Sequence, residues 1–527
     1  MYSDKPHINS LTKALLHLGI TDIVVCPGAR NAPLCHNFHQ AGFTLHPVTD
    51  ERSAAFVSIG IYLEMRRPTA VCVTSGTALL NTLPAVAEAY YRHIPLLIIS
   101  ADRPEEWIGH FDGQTLPQRN ALLPYAACVN IEEHTTLKTI IRQIKRSLQE
   151  QAPTHINIQI EEPLFQFTQP SLPDIDEAVE QVDSEEHSID EAQLNEIAQL
   201  INKAQFPLLV MGQQEEFAPD LFEALSTRMA ILPEIISNAK DSLLSYKVEK
   251  CLSVGVTLLI SPDLILHIGG AFIGKQLKLF LRQQTHIPII RIGKENEVAK
   301  TFGRVTLSVH ASPLQCLQKL LPIITHRELH KLWSDSINNT YNSLCKKDIS
   351  KEEKAIIEYY NALKLLPLGS LHLANSSSVR WANAHIEGGH FPVYCNRGVN
   401  GIEGSLSTAV GQALKSEMIV GYITGDLSFF YDANALWNTH LRENLIILLL
   451  NNSGGKIFYK FGALKDSPAL KDYISAHHTT SAEGICASYN AHYKRVTHPE
   501  QIAHFISEHL NSERKRPLVM EYICDLI

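Results

Sequence analysis

The chain has 527 residues, too many for one hydrophobic core, and this length indicates about three domains. Hydrophobic residues make up 45% of it and charged residues 19%, which is the composition of a globular protein and excludes a largely disordered one. The net charge is -9 and no dense basic run is present, so nucleic acid is disfavoured as a partner.

The cysteine pattern and the chain's apolar runs bear on its location. The ten cysteines include no Cys-x-x-Cys pair, and several lie in apolar runs, as Cys72 does. Buried free thiols in a reducing cytosol are therefore favoured. The first residues lack the charged-then-apolar layout of a signal peptide, and runs such as 445–450 are too short to cross a bilayer. We expect a cytoplasmic protein without a membrane span.

Short apolar runs alternate with segments of helical period, the pattern of parallel α/β domains. In the first third, strands are predicted at residues 22–26, 70–73, 95–100 and 155–160. Residues 163–193 are acidic and punctuated by proline, which predicts a linker.

The loop after the first predicted strand carries an arginine. Two prolines and Gly28 make this loop rigid and place Arg30 at the carboxyl end of the strand. The planar guanidinium group binds a carboxylate through two parallel hydrogen bonds. A solvated surface arginine is the alternative, but loops at strand ends more often carry function.

The next loops are also polar. Asp50 and Glu51 open a predicted helix, where acidic residues can simply balance the helix dipole, and local sequence favours that interpretation. Thr-Ser-Gly-Thr at 74–77 and a segment containing Arg103 follow the next two predicted strands, and Gln114 lies in a glycine-containing loop further on.

The middle block has predicted strands at 207–211, 264–268 and 288–292. Residues 326–366 are charged, helix-prone and poor in strand signals, which predicts a second connection. In the last third, strands are predicted at 370–374, 393–395, 418–424, 445–450 and 517–523. The outer thirds could be distant structural duplicates, a relationship that the sequence alone does not show.

Arginines recur in the last third. Asn375 and Arg380 follow one predicted strand, and Arg397 follows another, beside glycines that permit close backbone approach to a ligand. Each arginine alone could be structural. Together with Arg30 and Arg103 they indicate a pocket for a polyanionic substrate.

The strongest signal is a pair of polar strand ends. Gly-Asp-Leu-Ser at 425–428 follows the strand predicted at 418–424, and Asn-Asn-Ser-Gly-Gly at 451–455 follows the strand predicted at 445–450. Ligands bind at the carboxyl edge of such sheets. A turn-capping Asp and a turn Asn would explain one of these ends but not both. Carboxylate, amide and carbonyl oxygens suit Mg²⁺, so a metal-held diphosphate is predicted.

Other common motifs are absent from the sequence. It has no G-x-G-x-x-G after a strand, no Walker A loop, no H-E-x-x-H and no G-x-S-x-G. The histidines are scattered, and His477 with His478 is interpreted as a surface pair.

Taken in order, these motifs resemble the thiamine-diphosphate (ThDP)-dependent 2-succinyl-5-enolpyruvyl-6-hydroxy-3-cyclohexene-1-carboxylate (SEPHCHC) synthase family of menaquinone biosynthesis. The resemblance is good in the first and last thirds and poor in the middle. It implies a three-domain α/β ThDP-enzyme fold with parallel sheets flanked by helices. The implied domains are pyrimidine-binding (1–180), middle (190–330) and diphosphate-binding (350–527). It also implies a homodimer or homotetramer with active sites between subunits.

The resemblance also implies residue roles. Glu51 is the catalytic glutamate that contacts the cofactor's aminopyrimidine, and Ile402 is the apolar wedge that keeps ThDP bent. Mg²⁺ or Mn²⁺ is bound by Asp426, Asn452 and the Gly454 carbonyl. The implied cofactor-binding residues are Glu51, Thr77, Ser376, Ile402, Gly425, Asp426, Leu427, Ser428, Asn452, Gly454 and Ile457. The implied substrate-binding residues are Arg30, Arg103, Gln114, Lys275, Asn375, Ser376, Arg380, Arg397 and Phe458.

The implied reaction is decarboxylation of 2-oxoglutarate followed by conjugate addition of the resulting carbanion to isochorismate. Both substrates are dicarboxylates, which would account for the arginines. Two alternatives stay open: another ThDP reaction, such as 2-oxoacid decarboxylation or acetolactate-type ligation, and a non-catalytic nucleotide-binding or assembly protein. The chain departs from the family at Ala29 and Asn31, where hydroxyl residues are usual.

Overall fold

Three parallel sheets organise the chain in the computed structural model, which describes residues 1–175, 189–256, 261–295, 299–344, 349–513 and 515–524. The α/β fold class predicted from the alternating pattern is confirmed. Each sheet lies within one of the predicted domain ranges, whose boundaries stay a prediction. Residues 176–188 of the predicted linker lie outside the described part of the chain.

The first sheet has six strands in the order β2-β1-β3-β4-β6-β5. Its strands are β1 Asp22–Val25, β2 Thr44–Pro47, β3 Thr69–Val73, β4 Leu96–Asp102, β5 Ala127–Ile131 and β6 Thr154–Gln159. Its helices are α1 Pro6–His17, α2 Ala32–Gln40, α3 Glu51–Met65, α4 Thr77–Asn81, α5 Leu83–Tyr91 and α6 Leu137–Gln149.

The second sheet has five strands in the order β11-β10-β9-β7-β8. Its strands are β7 Pro207–Met211, β8 Ala230–Pro233, β9 Leu264–Ile268, β10 Ile289–Gly293 and β11 Leu307–His310. The helices of this block are α7 Glu191–Lys203, α8 Pro219–Ser226, α9 Leu243–Ser253, α10 Lys275–Gln283, α11 Pro313–Leu320 and α12 Leu329–Leu344.

The third sheet again has six strands, in the order β13-β12-β14-β15-β17-β16. Its strands are β12 Leu368–Leu373, β13 Val393–Cys395, β14 Ile419–Gly425, β15 Leu445–Asn451, β16 His492–Val496 and β17 Leu518–Ile523. Its helices are α13 Lys351–Leu363, α14 Ser377–His385, α15 Ser405–Lys415, α16 Asp426–Tyr431, α17 Glu483–Ser488 and α18 Gln501–Leu510.

The first and third sheets have the same topology. Counted within each sheet, the six strands follow the order 2-1-3-4-6-5 in both cases. The outer thirds are therefore structural duplicates in their strand order. Equivalent loops in the two sheets consequently leave from equivalent strands at the carboxyl edge.

The strands that the sequence did not predict lie at sheet edges. They are β2, β5, β8, β11 and β16, and each is the outermost strand on one side of its sheet. Edge strands contact only one neighbouring strand. Four of these five, all except β8, are exposed or half-buried at most of their positions. Such strands lack the continuous apolar run that marks a central parallel strand.

The connection predicted at 326–366 contains two helices that belong to different sheets. Helix α12 inserts Trp333 into the core of the second sheet, beside Phe206. Helix α13 packs on the third sheet, where the Tyr359 hydroxyl donates a 2.7 Å hydrogen bond to the Ile446 carbonyl. The helical character predicted for this segment is confirmed.

Helices α3 and α15 join the first sheet to the third through a close backbone contact. A Cβ atom at Gly411 would lie 2.0 Å from the Val57 carbonyl oxygen, and one at Gly60 would lie 2.0 Å from the Thr408 carbonyl oxygen. Only glycine permits this approach. The helix that begins at Glu51 is thereby held against the third sheet of the same chain.

A buried ion cluster joins all three sheets. Arg92, at the end of α5, donates hydrogen bonds of 2.8 and 2.7 Å to the Glu215 carboxylate and one of 2.8 Å to Asn396 Oδ1. Glu88, one turn earlier, accepts 2.9 Å hydrogen bonds from the backbone N–H groups of Gly398 and the residue after it. The loop that carries Arg397 is therefore anchored to the first sheet.

Within the described residues, no helix is long and apolar enough to cross a membrane. The nine cysteines of the described part are free, and most are buried.

We expect Gly411→Ala to destabilise the protein, because the new methyl group cannot be accommodated against the backbone of α3. Overpacking of this kind costs about 1–3 kcal/mol, so the midpoint of thermal unfolding should fall. The matched control is Gly484→Ala in α17, where a Cβ atom meets nothing within 4 Å. Equal midpoints for the two variants would contradict the close α3–α15 contact.

Candidate active site

Asp426 ties together the ends of the neighbouring strands β14 and β15. It is buried at the start of α16, directly after Gly425, and its Oδ1 accepts a 2.7 Å hydrogen bond from the Leu427 N–H. Its Oδ2 accepts hydrogen bonds from the backbone N–H groups of Asn452, at 3.0 Å, and Gly454, at 2.8 Å. The paired polar strand ends predicted from the sequence therefore contact each other.

The oxygen atoms at this edge suit a hard divalent cation. Asn452 Oδ1 is buried and has no hydrogen-bond partner within the described chain. Gly454 has φ +132°, and a Cβ atom there would lie 2.6 Å from the Ser475 carbonyl oxygen, so glycine is required. The Gly454 carbonyl accepts a 2.9 Å bond from the Lys456 N–H. A carboxylate, an unpaired amide oxygen and a backbone carbonyl fit Mg²⁺ or Mn²⁺.

His478 lies beside Asp426, and sequence reasoning missed it. Its Nε2 is 3.3 Å from Asp426 Oδ2, and its side chain is only 16% exposed. Its Nδ1 accepts a hydrogen bond from the Thr480 N–H, which leaves the proton of the neutral ring on Nε2, facing the carboxylate. The surface-pair interpretation is wrong for His478, although His477 is exposed. Nothing in the local sequence connects His478 with a strand end some fifty residues earlier.

Other predicted cofactor positions surround this edge. Ser428 is buried in the first turn of α16. Ile457 and Phe458 lie in the 3-10 turn Lys456–Lys460, which follows Gly454 and Gly455. Ile402 is 41% exposed, ahead of α15. An exposed apolar side chain at that point is compatible with contact to an organic ring.

Asn375 holds the loop that follows β13 in the third sheet. Its Nδ2 donates to the carbonyl oxygens of Asn396, at 2.6 Å, and Gly401, at 2.8 Å, while its Oδ1 accepts a 3.1 Å bond from Arg397 Nη1. Ser376, the residue before α14, has φ +71°, a strained conformation for a residue other than glycine. The amide of Asn375 is thus committed to holding this loop and Arg397.

Arg397 and Arg380 lie together near the second sheet. Arg397 Nη2 donates a 2.9 Å hydrogen bond to the Phe272 carbonyl oxygen. Burial, and then the charge of Arg397, lower the pKa of Arg380. Lys275 begins α10 three residues beyond Phe272 and is exposed. Among the described residues, no hydrogen bond or ion pair joins Lys275 to Arg397 or Arg380, so the structure does not bring the predicted lysine into direct contact with these arginines.

Glu234 holds the loop that leads to Lys275. Its carboxylate accepts hydrogen bonds from the N–H groups of Ile273, at 2.6 Å, and Gly274, at 2.7 Å. Complete burial raises the pKa of Glu234 to about 7, and these two hydrogen bonds and Arg397 only partly oppose the increase.

The arginines of the first sheet share one carboxylate. Arg30, only 2% exposed, donates to the Ile160 carbonyl at 2.8 Å and to Glu162 Oε1 at 3.0 Å. Arg103 Nη1 lies 4.0 Å from the same Glu162 oxygen. The Glu162 side chain is 59% exposed, and the Nε atoms of both arginines are buried without a partner in the described chain. These two cations can therefore accept a further anionic group.

Asn31 supports the arginine loop from inside. It is fully buried, and its Nδ2 donates a 2.8 Å hydrogen bond to the Cys26 carbonyl. The Asn31 amide therefore braces the loop that carries Arg30.

Glu51 is the first residue of α3, but it is not the residue that caps the helix. Asp50 Oδ1 accepts a 3.0 Å hydrogen bond from the Ser53 N–H, which satisfies the helix start. Glu51 Oε2 accepts a 3.1 Å bond from Asn81 Nδ2. Thr77 begins α4 and is exposed, and Gln114 is exposed with φ +58°.

The predicted residues form two separate groups. Arg30, Glu51, Thr77, Arg103 and Gln114 follow strands of the first sheet, and the others follow strands of the second and third. Within the described part of the chain, no hydrogen bond or ion pair joins a member of the first group to a predicted residue of the other.

Comparison with known proteins identifies the class. Residues 8–122 match the family model "Thiamine pyrophosphate enzyme, N-terminal TPP binding domain". Residues 376–522 match the model of the C-terminal TPP binding domain. The crystal structure of benzoylformate decarboxylase from Polynucleobacter necessarius shares the fold, with a TM-score of 0.74, 18% identity and 100% coverage of both chains. The protein is a thiamine-diphosphate (thiamine pyrophosphate) enzyme.

Relatives that match along the whole chain give the family. The chain is 38% identical to the 2-succinyl-5-enolpyruvyl-6-hydroxy-3-cyclohexene-1-carboxylate synthase of Bacteroides thetaiotaomicron, over 99% of this chain and 96% of the relative. It is 35% identical to that of Phocaeicola vulgatus, over 100% and 96%. It is 31% identical to that of Flavobacterium psychrophilum, over 99% and 96%. The chain belongs to the SEPHCHC synthase family.

The raised pKa of Glu234 predicts a pH effect on stability. The folded chain keeps this proton up to about pH 7, whereas the unfolded chain releases it near its ordinary pKa of 4.5. The stabilisation is fully present below pH 4.5 and is lost as the pH rises through 7. We expect the melting midpoint of the wild type, measured relative to Glu234→Gln, to fall across this range. An exposed control, Glu105→Gln, should follow the wild type. Parallel wild-type and Glu234→Gln curves would refute the assignment.

Proposed function

We propose that the protein is a SEPHCHC synthase, which decarboxylates 2-oxoglutarate and adds the resulting four-carbon unit to isochorismate, in menaquinone biosynthesis. One observation carries the proposal: in a chain related to named synthases along its whole length, Asp426 at the carboxyl edge of the third sheet holds the backbone N–H of Asn452, whose Oδ1 is buried and has no partner in the described chain. That edge can hold a diphosphate through a divalent metal.

Asp426, Asn452 Oδ1 and the Gly454 carbonyl would bind Mg²⁺ or Mn²⁺. Bound ThDP would supply the carbanion chemistry that removes CO₂ from a 2-oxoacid and forms the new carbon–carbon bond. Glu51 Oε1, the oxygen that Asn81 leaves free, would hold the proton that the carboxylate exchanges with the aminopyrimidine. Ile402 would pack against the cofactor from the third sheet.

The arginines would bind the substrate carboxylates. Arg30 and Arg103 carry buried Nε donors with no partner in the described chain, and so does Arg397. Charge-assisted hydrogen bonds from guanidinium groups can offset much of the cost of burying a carboxylate. Arg380 and Lys275 would add positive charge on the side of the second and third sheets, and Gln114 would add a polar contact on the side of the first.

A second copy of the chain would complete the site. Among the described residues, Glu51 and the first-sheet arginines share no hydrogen bond or ion pair with the predicted residues of the third sheet of the same chain, which supports a site built from the first sheet of one copy and the third of another. The assembly is then a homodimer or a homotetramer. A cytoplasmic location stays a prediction from the cysteine pattern.

The metal assignment predicts an effect of Asn452→Ala. Loss of an oxygen ligand should weaken Mn²⁺ binding in the presence of ThDP by about tenfold or more, while the melting midpoint changes little because Oδ1 has no protein partner. Isothermal titration with Mn²⁺ measures the affinity. The control is Asn451→Ala, whose amide donates to Glu521 Oε1 at 2.7 Å, so stability should fall instead. Unchanged Mn²⁺ affinity in Asn452→Ala would refute the ligand assignment.

The catalytic assignment predicts that Glu51→Gln still binds ThDP but loses nearly all turnover. The assay supplies 2-oxoglutarate with and without isochorismate and follows CO₂ release and product mass. Wild type should give the combined product only with both substrates, and Glu105→Gln should match it. CO₂ release without isochorismate at the full rate would support a decarboxylase, and binding of ThDP without any turnover would support a non-catalytic protein. Full activity of Glu51→Gln would refute the mechanism.

A further inference from the structure

A buried glutamine outside the predicted site connects several of its loops. Gln118 is completely buried, and both the oxygen and the nitrogen of its side-chain amide have hydrogen-bond partners. Its Oε1 accepts a 2.6 Å hydrogen bond from the Gly76 N–H. Its Nε2 donates to the Ala101 carbonyl at 3.2 Å and to Asn157 Oδ1 at 3.0 Å.

We propose that Gln118 is a positioning residue that sets the cofactor loop and the substrate loop of the first sheet relative to each other. This inference rests on the proposed function, because Thr77, Arg103 and Gln114 are assigned to the site there. Gln118 itself is buried and would touch neither cofactor nor substrate.

The carbonyl side of the amide fixes the loop before Thr77. Gly76 is the residue before α4. Its φ of +87° is a backbone conformation that residues with a side chain rarely adopt. An ideal Cβ on Gly76 would lie 3.2 Å from the Gln114 carbonyl oxygen, so the two loops are in close backbone contact. The hydrogen bond from the Gly76 N–H to Gln118 Oε1 therefore fixes Gly76, and Gly76 packs against the backbone of Gln114.

The amino side of the amide leads to Arg103. Asn157 Nδ2 donates a 2.9 Å hydrogen bond to Asp102 Oδ2, and Asp102 Oδ1 accepts a 2.8 Å bond from the Arg103 N–H. Arg103 Nη2 in turn donates to the Gly113 carbonyl at 3.0 Å. One buried amide thus lies between the loop of Thr77 and the loop of Arg103.

Replacing this amide leaves buried groups unpaired on both sides, and the loops can relax apart. Displacements of the order of 1 Å in positioning groups can cost about a hundredfold in rate. The consequence should therefore be visible in binding and turnover beyond any general loss of stability.

The matched control is His155, which joins the same network through Ser100. Its Nε2 lies 2.8 Å from Ser100 Oγ, which accepts a 3.3 Å hydrogen bond from Gln118 Nε2, and it is completely buried. Among the described residues, no side-chain hydrogen bond joins His155 to Gly76, Arg103 or Gln114. His155→Leu removes a buried polar partner, as Gln118→Met does. We expect similar falls in the melting midpoint for the two variants.

The two variants should differ in function. We expect Gln118→Met to weaken ThDP binding and to raise the KM of at least one acid substrate, each by about tenfold, while His155→Leu retains wild-type values. Asn157→Leu, which breaks only the amino side, should raise the substrate KM and leave the ThDP affinity unchanged. In an Arg103→Ala background, Gln118→Met should add no further increase in KM.

Several outcomes would overturn the inference. If Gln118→Met and His155→Leu have the same ThDP affinity and KM, Gln118 is only structural. If Gln118→Met raises KM equally with and without Arg103, it does not act through Arg103. A wild type that neither binds ThDP nor turns over would instead refute the proposed function, and the inference with it.

Discussion

The geometry of the candidate site depends on one carboxylate. Asp426 accepts hydrogen bonds from the N–H groups of Asn452 and Gly454, and so it fixes the loop after β15 against the end of β14. Those bonds hold the backbone of Asn452 while leaving its Oδ1 unpaired. A buried amide oxygen without a partner is unfavourable unless a ligand or ion satisfies it. These strand ends therefore carry the oxygen atoms to which the proposed function assigns a divalent cation.

The sheets are positioned relative to one another by contacts that tolerate little variation. Helices α3 and α15 approach so closely at Gly60 and Gly411 that side chains are excluded. Arg92 bonds a carboxylate of the second block and an amide of the third. Because the outer sheets share one strand order, the residues predicted to bind cofactor and substrate follow equivalent strands of the two sheets. The separation of these two groups within the described part of one chain is the observation behind the proposal of a site shared between two copies.

The central strands and the main site loops could be predicted from the sequence, because fully buried parallel strands give continuous apolar runs and their ends carry polar residues. The central strands β7 and β9 and the edge strand β13 have their predicted bounds, and Asp426 follows its strand as expected. The missed edge strands contact a single neighbour, and all of them except the short buried β8 are exposed or half-buried at most positions. His478 and Gln118 could not be found, because their partners lie far away in the chain, at positions 426 and 76. The role of Asn375 in holding Arg397 likewise depends on loops that only folding brings together.

The central claim is that Asp426, Asn452 and Gly454 bind the metal that holds the cofactor. A crystal structure with ThDP and Mn²⁺ tests it most directly, because the anomalous signal of Mn²⁺ gives the position of the metal independently of the protein coordinates. The account predicts one peak bound by Asp426, Asn452 Oδ1 and the Gly454 carbonyl, with the diphosphate beside it. It also predicts that Glu51 from a second copy of the chain faces the aminopyrimidine. A metal peak away from these oxygens, or a cofactor whose pyrimidine meets no Glu51, would contradict it.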